Sequence, residues 1–184
     1  GINTSGANIF QNGTFDSNIT GWQNWDTNRG SVTHNSGRMR FNNSGAGDVY
    51  AYGAFDHTLP PGTTFTVSGN YYSISGGNAN NVQIYPYNDD IGSFPDSGGL
   101  GTYADANGTR ASAHSFSGGA NGTFLITTTV DSPGGATGVL LGLDPNSGTI
   151  FELDNLTCTY TQGRLSDRTK PYGDDFVTFG SVTK

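Results

Sequence analysis

Residues 59 to 69 read Leu-Pro-Pro-Gly-Thr-Thr-Phe-Thr-Val-Ser-Gly, and they contain the pattern that determines the fold. The turn Pro60-Pro61-Gly62 opens a stretch from Thr64 to Ser73 in which apolar and polar residues alternate. Strict alternation indicates a strand with one buried and one outward face, and proline with glycine marks a turn. The stretch therefore predicts a β-strand entered through a tight turn.

The same alternation recurs along the chain, with Gly, Pro or Asn turns between the segments. Further strands are predicted near Asn8 to Phe10, Gly37 to Asn42, Val49 to Phe55, Val82 to Tyr87, Gly122 to Asp131, Gly138 to Asp144 and Thr149 to Thr161. About eight strands without a helical period between them are typical of an antiparallel β-sandwich or barrel, and we expect a jelly roll.

The composition supports an all-β domain. Hydrophobic residues make up only 33% of the 184 residues, but aromatic residues reach 12%, which argues against disorder. Glu occurs once, Lys twice and Gly 29 times, so the common helix formers are nearly absent. The length predicts one domain over residues 1–163, followed by an extension over residues 164–184.

Charge and hydropathy restrict the partners. The net charge is −7 and the isoelectric point is near 4.5, which argues against nucleic-acid binding. No apolar run is long enough for a membrane span, so we expect no membrane insertion. The single Cys158 lies in an alternating segment and is expected to be a buried free thiol. The start at Gly1 fits a cleaved leader, a fragment or a trimmed initiator Met equally well.

Two segments depart from the strand pattern. The Gly, Ser and Asp-rich stretch from Asn88 to Ser117 predicts a long loop, which is either functional, mobile or a plain insertion. The last 21 residues carry four of the eight basic residues, and Arg168 to Pro171 resembles a linker. A short alternating piece from Phe176 to Phe179 is expected either to pack back on the domain or to dock on a neighbouring chain.

Alternation also separates core residues from outward-facing residues. The outward set is predicted to contain Tyr50, Tyr52, Asn70, Tyr72, Gln83, Tyr85 and Tyr87. If their strands are neighbours, one solvent face carries five tyrosines with two amides. Aromatic rings stack on sugar rings and amides bind hydroxyls, so this face suits a neutral glycan. The alternative is a face covered by the long loop or by a partner.

The two tryptophans have different predicted roles. Trp22 follows Gly21 and is expected to pack in the core, whereas Trp25 lies in a polar loop and is a candidate ligand contact.

Three short motifs occur in a characteristic order. They are Asn8-Ile9-Phe10-Gln11-Asn12-Gly13-Thr14-Phe15-Asp16 with Gly21-Trp22, the strand entry at residues 59–69, and Phe151-Glu152-Leu153-Asp154-Asn155-Leu156-Thr157. Together they resemble carbohydrate-binding modules of the family 4, 9, 16 and 22 grouping, which are galactose-binding-domain-like. The resemblance implies a jelly roll that binds polysaccharide or cell-surface glycan without catalysis.

The resemblance also implies a structural calcium ion. Its carboxylate ligands would be Asp16 from the opening segment and Asp154 from the closing strand, with backbone carbonyls supplying further oxygens. The alternatives are an Asx-turn for Asp16 and a satisfied strand-end carboxylate for Asp154.

The residues themselves do not favour catalysis. The three histidines are scattered, and no nucleophile elbow or P-loop is present. A glycosidase would need two opposed carboxylates, for which only Asp89, Asp90 and Glu152 are candidates, and adjacent strand residues point apart. We therefore expect no catalytic residues.

Two functions follow from these patterns. The first is a non-catalytic carbohydrate-binding module. The second is a structural or decorating protein with the same fold, on a virion, surface layer or extracellular filament, assembled through residues 164–184. Both predict an extracellular or surface-exposed location.

Overall fold

The computed structural model describes residues 3–25, 27–45, 48–76, 79–88, 113–115, 121–130, 134–145 and 148–162. Within these ranges the regular elements are all strands, which confirms the all-β prediction, and no helix is long and apolar enough to span a membrane. The strands are β1 (Asn3–Ser5), β2 (Trp22–Asn24), β3 (Gly30–Asn35), β4 (Arg38–Asn43), β5 (Val49–Leu59), β6 (Thr64–Ser75), β7 (Ala79–Tyr87), β8 (Ala113–Ser115), β9 (Gly122–Thr129), β10 (Ala136–Pro145) and β11 (Ile150–Gln162).

The strands form two antiparallel sheets. One has six strands in the order β3-β4-β11-β6-β9, with β1 paired to the end of β11. The other has five strands in the order β2-β5-β10-β7-β8. The chain crosses between the sheets from β5 to β6, from β6 to β7, from β9 to β10 and from β10 to β11, as in a jelly roll. The predicted antiparallel, jelly-roll-like sandwich is confirmed.

The alternation in β6 separates the core from the surface as predicted. Phe65, Val67 and Tyr71 are buried, while Thr66, Ser68 and Asn70 are half-buried on the outer face. Phe65 meets Phe55 of the opposite sheet edge-on, with 5.6 Å between ring centroids. Apolar residues from the two inner faces therefore form the main core.

Strand β5 is buried on both faces from Val49 to Gly53, unlike β6. Val49, Ala51 and Phe55 belong to the main core, whereas Tyr50 and Tyr52 are buried on the outer side of the sheet. A strand that is apolar on both sides is expected where both faces of a sheet are covered. The outer face of the five-stranded sheet is therefore not an ordinary solvent face.

Trp22 is a core residue, which confirms the prediction. Its side chain is 5% exposed, and its indole N–H donates to the Asn12 carbonyl at 2.8 Å. Its ring contacts Phe10 and Phe15 edge-on. Hydrogen bonding and packing together fix this indole in one position.

The predicted strand near Asn8 to Phe10 is wrong, because this segment connects the two sheets instead of joining one ladder. Ile9 donates to Cys158 of β11 at 3.0 Å and accepts from Asp56 of β5 at 2.8 Å. The Asn8 amide bonds the backbone of Leu156 and Cys158. Only a single bridge, from Phe10 to Phe55, remains of regular pairing.

Several sequence predictions lie largely or wholly outside the described residues. They concern the long loop, of which only Asn88 and residues 113–115 are described, and the extension over residues 164–184. Cys158 is within the described part and is fully buried, as expected, and this burial raises the pKa of its thiol.

The contact between Gly53 and Trp22 gives a test of the core. A Cβ added at Gly53 would collide with the six-membered ring of Trp22, which cannot move freely. We expect Gly53→Ala to lower the free energy of unfolding by about 1–3 kcal/mol, as other overpacked cores do. Urea denaturation measures this loss.

Gly6→Ala is the control, since a Cβ at Gly6 meets nothing within 4 Å. It should leave stability unchanged or slightly raised. Equal stability of the Gly53→Ala variant and the parent protein would contradict the tight packing of Trp22.

Candidate functional site

The central strands of the five-stranded sheet bring four of the predicted tyrosines to one face. Strand β10 lies between β5 and β7, and its Leu140 is paired with both Tyr52 and Tyr85. Gly142 is paired with Tyr50, and Gly138 with Tyr87. Residues opposite each other in antiparallel strands share a face, so these side chains all point away from the main core.

Two glycines of β10 provide the space for these rings. A Cβ at Gly142 would collide with the Tyr50 ring, and one at Gly138 would lie 2.7 Å from Cε2 of Tyr52. The rings therefore lie directly against the backbone of β10. A side chain at either position would push them outward.

Trp25 completes this group. Its backbone N–H donates to the Tyr50 carbonyl at 3.0 Å, and its ring meets that of Tyr50 at 5.8 Å and 77°. Tyr50 and Tyr85 are 6.2 Å apart, and Tyr52 and Tyr87 are 5.2 Å apart. We call Trp25, Tyr50, Tyr52, Tyr85, Tyr87 and Leu140 the outer aromatic cluster.

The prediction that these rings form an open solvent face is wrong. Their exposed fractions lie between 0% for Tyr87 and 8% for Tyr52. The rings pack on one another and on the glycines of β10. Alternation along a strand predicts the side on which a residue lies, but not whether that side is covered.

Three of the four tyrosine hydroxyls have polar partners at the rim of the cluster. Tyr50 donates to Asp48 at 2.7 Å and Tyr85 donates to the Gln83 side-chain oxygen at 2.8 Å. Tyr52 and Thr137 share a hydrogen bond of 3.1 Å. Sequence reasoning had selected Gln83 but missed Asp48, although a residue two positions before Tyr50 lies on the same face.

A small pocket opens beside Tyr52. It has a volume of about 210 Å³ and is lined by Gly21, Trp22, Gln23, Tyr52 and Ala54. Gln23 is paired with Tyr52 and is exposed, so it presents an amide at the edge of the outer aromatic cluster. The volume is below the range of about 300–1,000 Å³ usual for enclosed small-molecule sites, so the pocket is shaped for a partial contact.

Asn70 and Tyr72 do not join this face, contrary to the expectation of one shared surface. Their strand β6 belongs to the six-stranded sheet, so they lie on the opposite outer face. The guanidinium of Arg38 lies 3.5 Å from the centre of the Tyr72 ring. A cation already occupies that face of the ring.

Glu152 is held in an ion-pair network on the same outer face. Its carboxylate accepts from Arg40 at 2.8 Å, from Arg38 at 3.3 Å and from the Asn35 amide at 2.8 Å. The Glu152 side chain is 3% exposed, so removing one of the arginines would leave a buried charge without its partner. The network gives Glu152 a structural role on the sheet opposite to the outer aromatic cluster.

The two residues expected to bind calcium lie in adjacent segments. Asp16 is exposed in a hollow of about 410 Å³ whose lining side chains, from Gln11 to Thr20, all carry oxygen atoms. Asp154 lies on β11 and accepts the Asn155 N–H at 2.7 Å. Gly13 and Leu156 are hydrogen bonded at 2.9 Å, which joins the opening segment to this strand. Asp154 does not line the hollow, and the described residues contain no cluster of three His, Cys, Asp or Glu suited to a metal ion.

Comparisons with known proteins identify the fold. No protein-family model and no curated protein sequence matches the chain. The crystal structure of a cyclase from Fischerella sp. TAU is similar, with a TM-score of 0.55 and 12% identity over 86% of this chain and 98% of that chain. A CBM4 structure has a TM-score of 0.51 and 18% identity, covering 82% and 98%. The apo structure of BiXyn10A CBM1 has a TM-score of 0.50 and 9% identity, covering 86% and 99%.

These similarities concern the fold alone, because identities this low carry no residue roles. The chain has a β-sandwich fold that occurs in carbohydrate-binding modules and also in a cyclase.

The buried hydroxyl of Tyr50 gives a pH-dependence that can be measured. Burial raises its pKa above the usual value near 10, and so do the hydrogen bond to Asp48 and the charge of Asp48. The unfolded chain therefore loses this proton at a lower pH than the folded chain, so stability is lost as the pH rises above about 10. In Tyr50→Phe the free energy of unfolding should fall less steeply with rising pH, by up to about 1.4 kcal/mol per pH unit.

Urea denaturation of both proteins between about pH 8 and pH 11 measures the two slopes. Parallel declines in the parent protein and in Tyr50→Phe would show that Tyr50 is not protected in the folded state.

Proposed function

We propose that this protein is a non-catalytic carbohydrate-binding module that contacts a polysaccharide or cell-surface glycan at the rim of the outer aromatic cluster. The location would be extracellular or surface-exposed, where such ligands occur. The observation that carries the proposal is an aromatic cluster on the outer side of a sheet, in a fold that carbohydrate-binding modules share.

The contrast between the two outer faces supports this location. Strands β6, β9 and β11 of the six-stranded sheet present mostly Thr, Ser and Asn to the outside. The five-stranded sheet presents Trp25 and four tyrosines. The rings themselves are nearly buried, so a ligand would contact the cluster at its rim, where the Tyr50 and Tyr85 hydroxyls bond polar side chains.

The rim has the chemistry that a neutral glycan requires. Aromatic edges at Tyr52 and Tyr85 can contact the apolar faces of sugar rings, and Gln23, Gln83 and Asp48 can bond hydroxyls. The pocket of about 210 Å³ beside Tyr52 suits one unit of a longer chain. A contact this shallow predicts modest affinity.

The position of Glu152 favours binding over glycoside hydrolysis. Glycosidases place two carboxyl groups about 5–10 Å apart across one bond. Glu152 lies on the opposite sheet and is bound by Arg38 and Arg40, so it cannot act on a sugar at the outer aromatic cluster.

Substitutions at the rim test the proposal without disturbing the core. Gln23→Ala removes an exposed amide, and Tyr52→Phe removes one hydroxyl while keeping the ring. Each should weaken binding about 2- to 10-fold, the usual effect of one neutral hydrogen bond. A glycan array identifies a ligand, and titration calorimetry with that glycan gives the affinities.

Ser31→Ala, an exposed position on β3, is the control and should leave affinity unchanged. Full affinity in both rim variants would exclude this face as the binding site. A defined oligomer that binds no sugar, seen by light scattering, would instead favour the assembly role.

We also propose a structural calcium ion with Asp16 and Asp154 among its ligands. Calcium takes six to eight oxygens, and the support is the oxygen-lined hollow at Asp16 and the hydrogen bond joining Gly13 to Leu156. An ion at 100 times its dissociation constant would add about 2.7 kcal/mol of stability.

We expect the chelated protein to melt several degrees lower than the calcium-loaded protein, as measured by scanning calorimetry. In each of the variants Asp16→Asn and Asp154→Asn, the melting temperature with calcium should be nearly the same as the melting temperature with chelator. A melting temperature that calcium and chelator leave unchanged in the parent protein would overturn the calcium proposal and leave the glycan proposal standing.

A further inference from the structure

The outer face of the six-stranded sheet carries a groove of its own. It runs across β9, β6 and β11, is open to solvent and has a volume of about 460 Å³. Its outward-facing lining residues are Ser68, Asn70, Thr123, Leu125, Asn155 and Thr157. The groove therefore lies on the opposite side of the sandwich from the outer aromatic cluster.

A β-bulge shapes one wall of the groove. Asp154 is paired with Asn70 and Thr157 with Ser68, so Asn155 and Leu156 together face only Gly69. Asn155 has a φ of 51°, an unusual left-handed conformation for a residue other than glycine. Bulges of this kind turn a side chain out of the regular ladder, and here the side chain that lines the groove is Asn155.

Leu125 supplies the apolar part of the opposite wall. It is 64% exposed, although it lies between the buried Phe124 and Ile126 on β9. It is one of only two large hydrophobic side chains exposed in the described part of the chain. An exposed leucine beside amides and hydroxyls offers an apolar contact within a polar site.

The polar residues determine the class of ligand. Ser68 and Thr157 share a hydrogen bond of 2.7 Å, and each hydroxyl retains further bonding capacity. Asn70 and Asn155 add amides, which both donate and accept. No Lys, Arg or His is among the described lining residues, and the carboxylate of Asp154 is adjacent, so an anionic ligand is disfavoured.

We propose that this groove binds a neutral sugar unit, at a second site separate from the outer aromatic cluster. The hydroxyls of the sugar would bond Asn70, Asn155 and Thr123, and its C–H face would pack on Leu125. An added peptide strand would have to pair at a sheet edge, whereas the groove lies on the face of the sheet over β6, which is paired on both sides, with β9 and β11. The proposal does not depend on glycan binding at the aromatic rim.

Backbone amide shifts in NMR spectra distinguish the two sites. The ¹⁵N-labelled chain is titrated separately with cellobiose, maltose and lactose at millimolar concentration. We expect at least one disaccharide to shift the amides of Ser68, Asn70, Leu125 and Asn155. Shifts at Gln23 and Tyr52 report independently on the aromatic rim.

Asn155→Gly and Leu125→Ala test the assignment. The glycine keeps the left-handed backbone but removes the amide, and the alanine shortens an exposed side chain. Each should raise the dissociation constant measured from the groove shifts at least 3-fold and leave any rim shifts unchanged. Thr33→Ala, at an exposed position of β3, should alter neither. Groove amides that no disaccharide shifts, or that respond equally in the parent and variant proteins, would overturn the second site.

Discussion

The packing on the outer face of the five-stranded sheet depends on two glycines of β10, which have no side chain. Gly138 and Gly142 leave gaps on β10 into which the rings of Tyr52 and Tyr50 fit. Because the rings lie against the backbone, Tyr85, Tyr87 and Trp25 can close around them at ring separations of 5.2–6.2 Å. Aromatic pairs in such geometries each add about 0.5–1.5 kcal/mol beyond burial. The cluster is consequently a second small core, built outside the sandwich.

The outer face of the six-stranded sheet, in contrast, is polar and in contact with water. Pairs of hydroxyl residues join its strands, as in Thr64 with Thr129 at 3.2 Å and Thr66 with Thr127 at 2.9 Å. Its one buried carboxylate, Glu152, is balanced by two arginines. Cross-strand pairs of this kind stabilise a sheet without apolar cover. The two faces therefore differ in chemistry because the sheets are stabilised differently.

Sequence patterns predicted the strands well wherever one face is apolar. They placed seven strands within a few residues, namely β4, β5, β6, β7, β9, β10 and β11. They missed β1, β2, β3 and β8, which are short or carry few apolar residues. Alternation also cannot assign a strand to a sheet, because that depends on pairing between distant segments. For this reason Asn70 and Tyr72 were grouped with the other tyrosines, although β6 belongs to the opposite sheet. The burial of Tyr87 depends likewise on packing that no local pattern contains.

The position of two candidate sites on opposite faces has a consequence for binding. The packed sheets alone are about 10 Å apart, and a straight glycan chain following one outer face cannot reach the other. Two occupied sites would therefore engage two chains, or two parts of a network, instead of lengthening one contact. Each site on its own is shallow, but a second contact made while the first holds occurs at high effective concentration. Retention on a dense glycan surface would then exceed what either face could achieve on a soluble oligosaccharide.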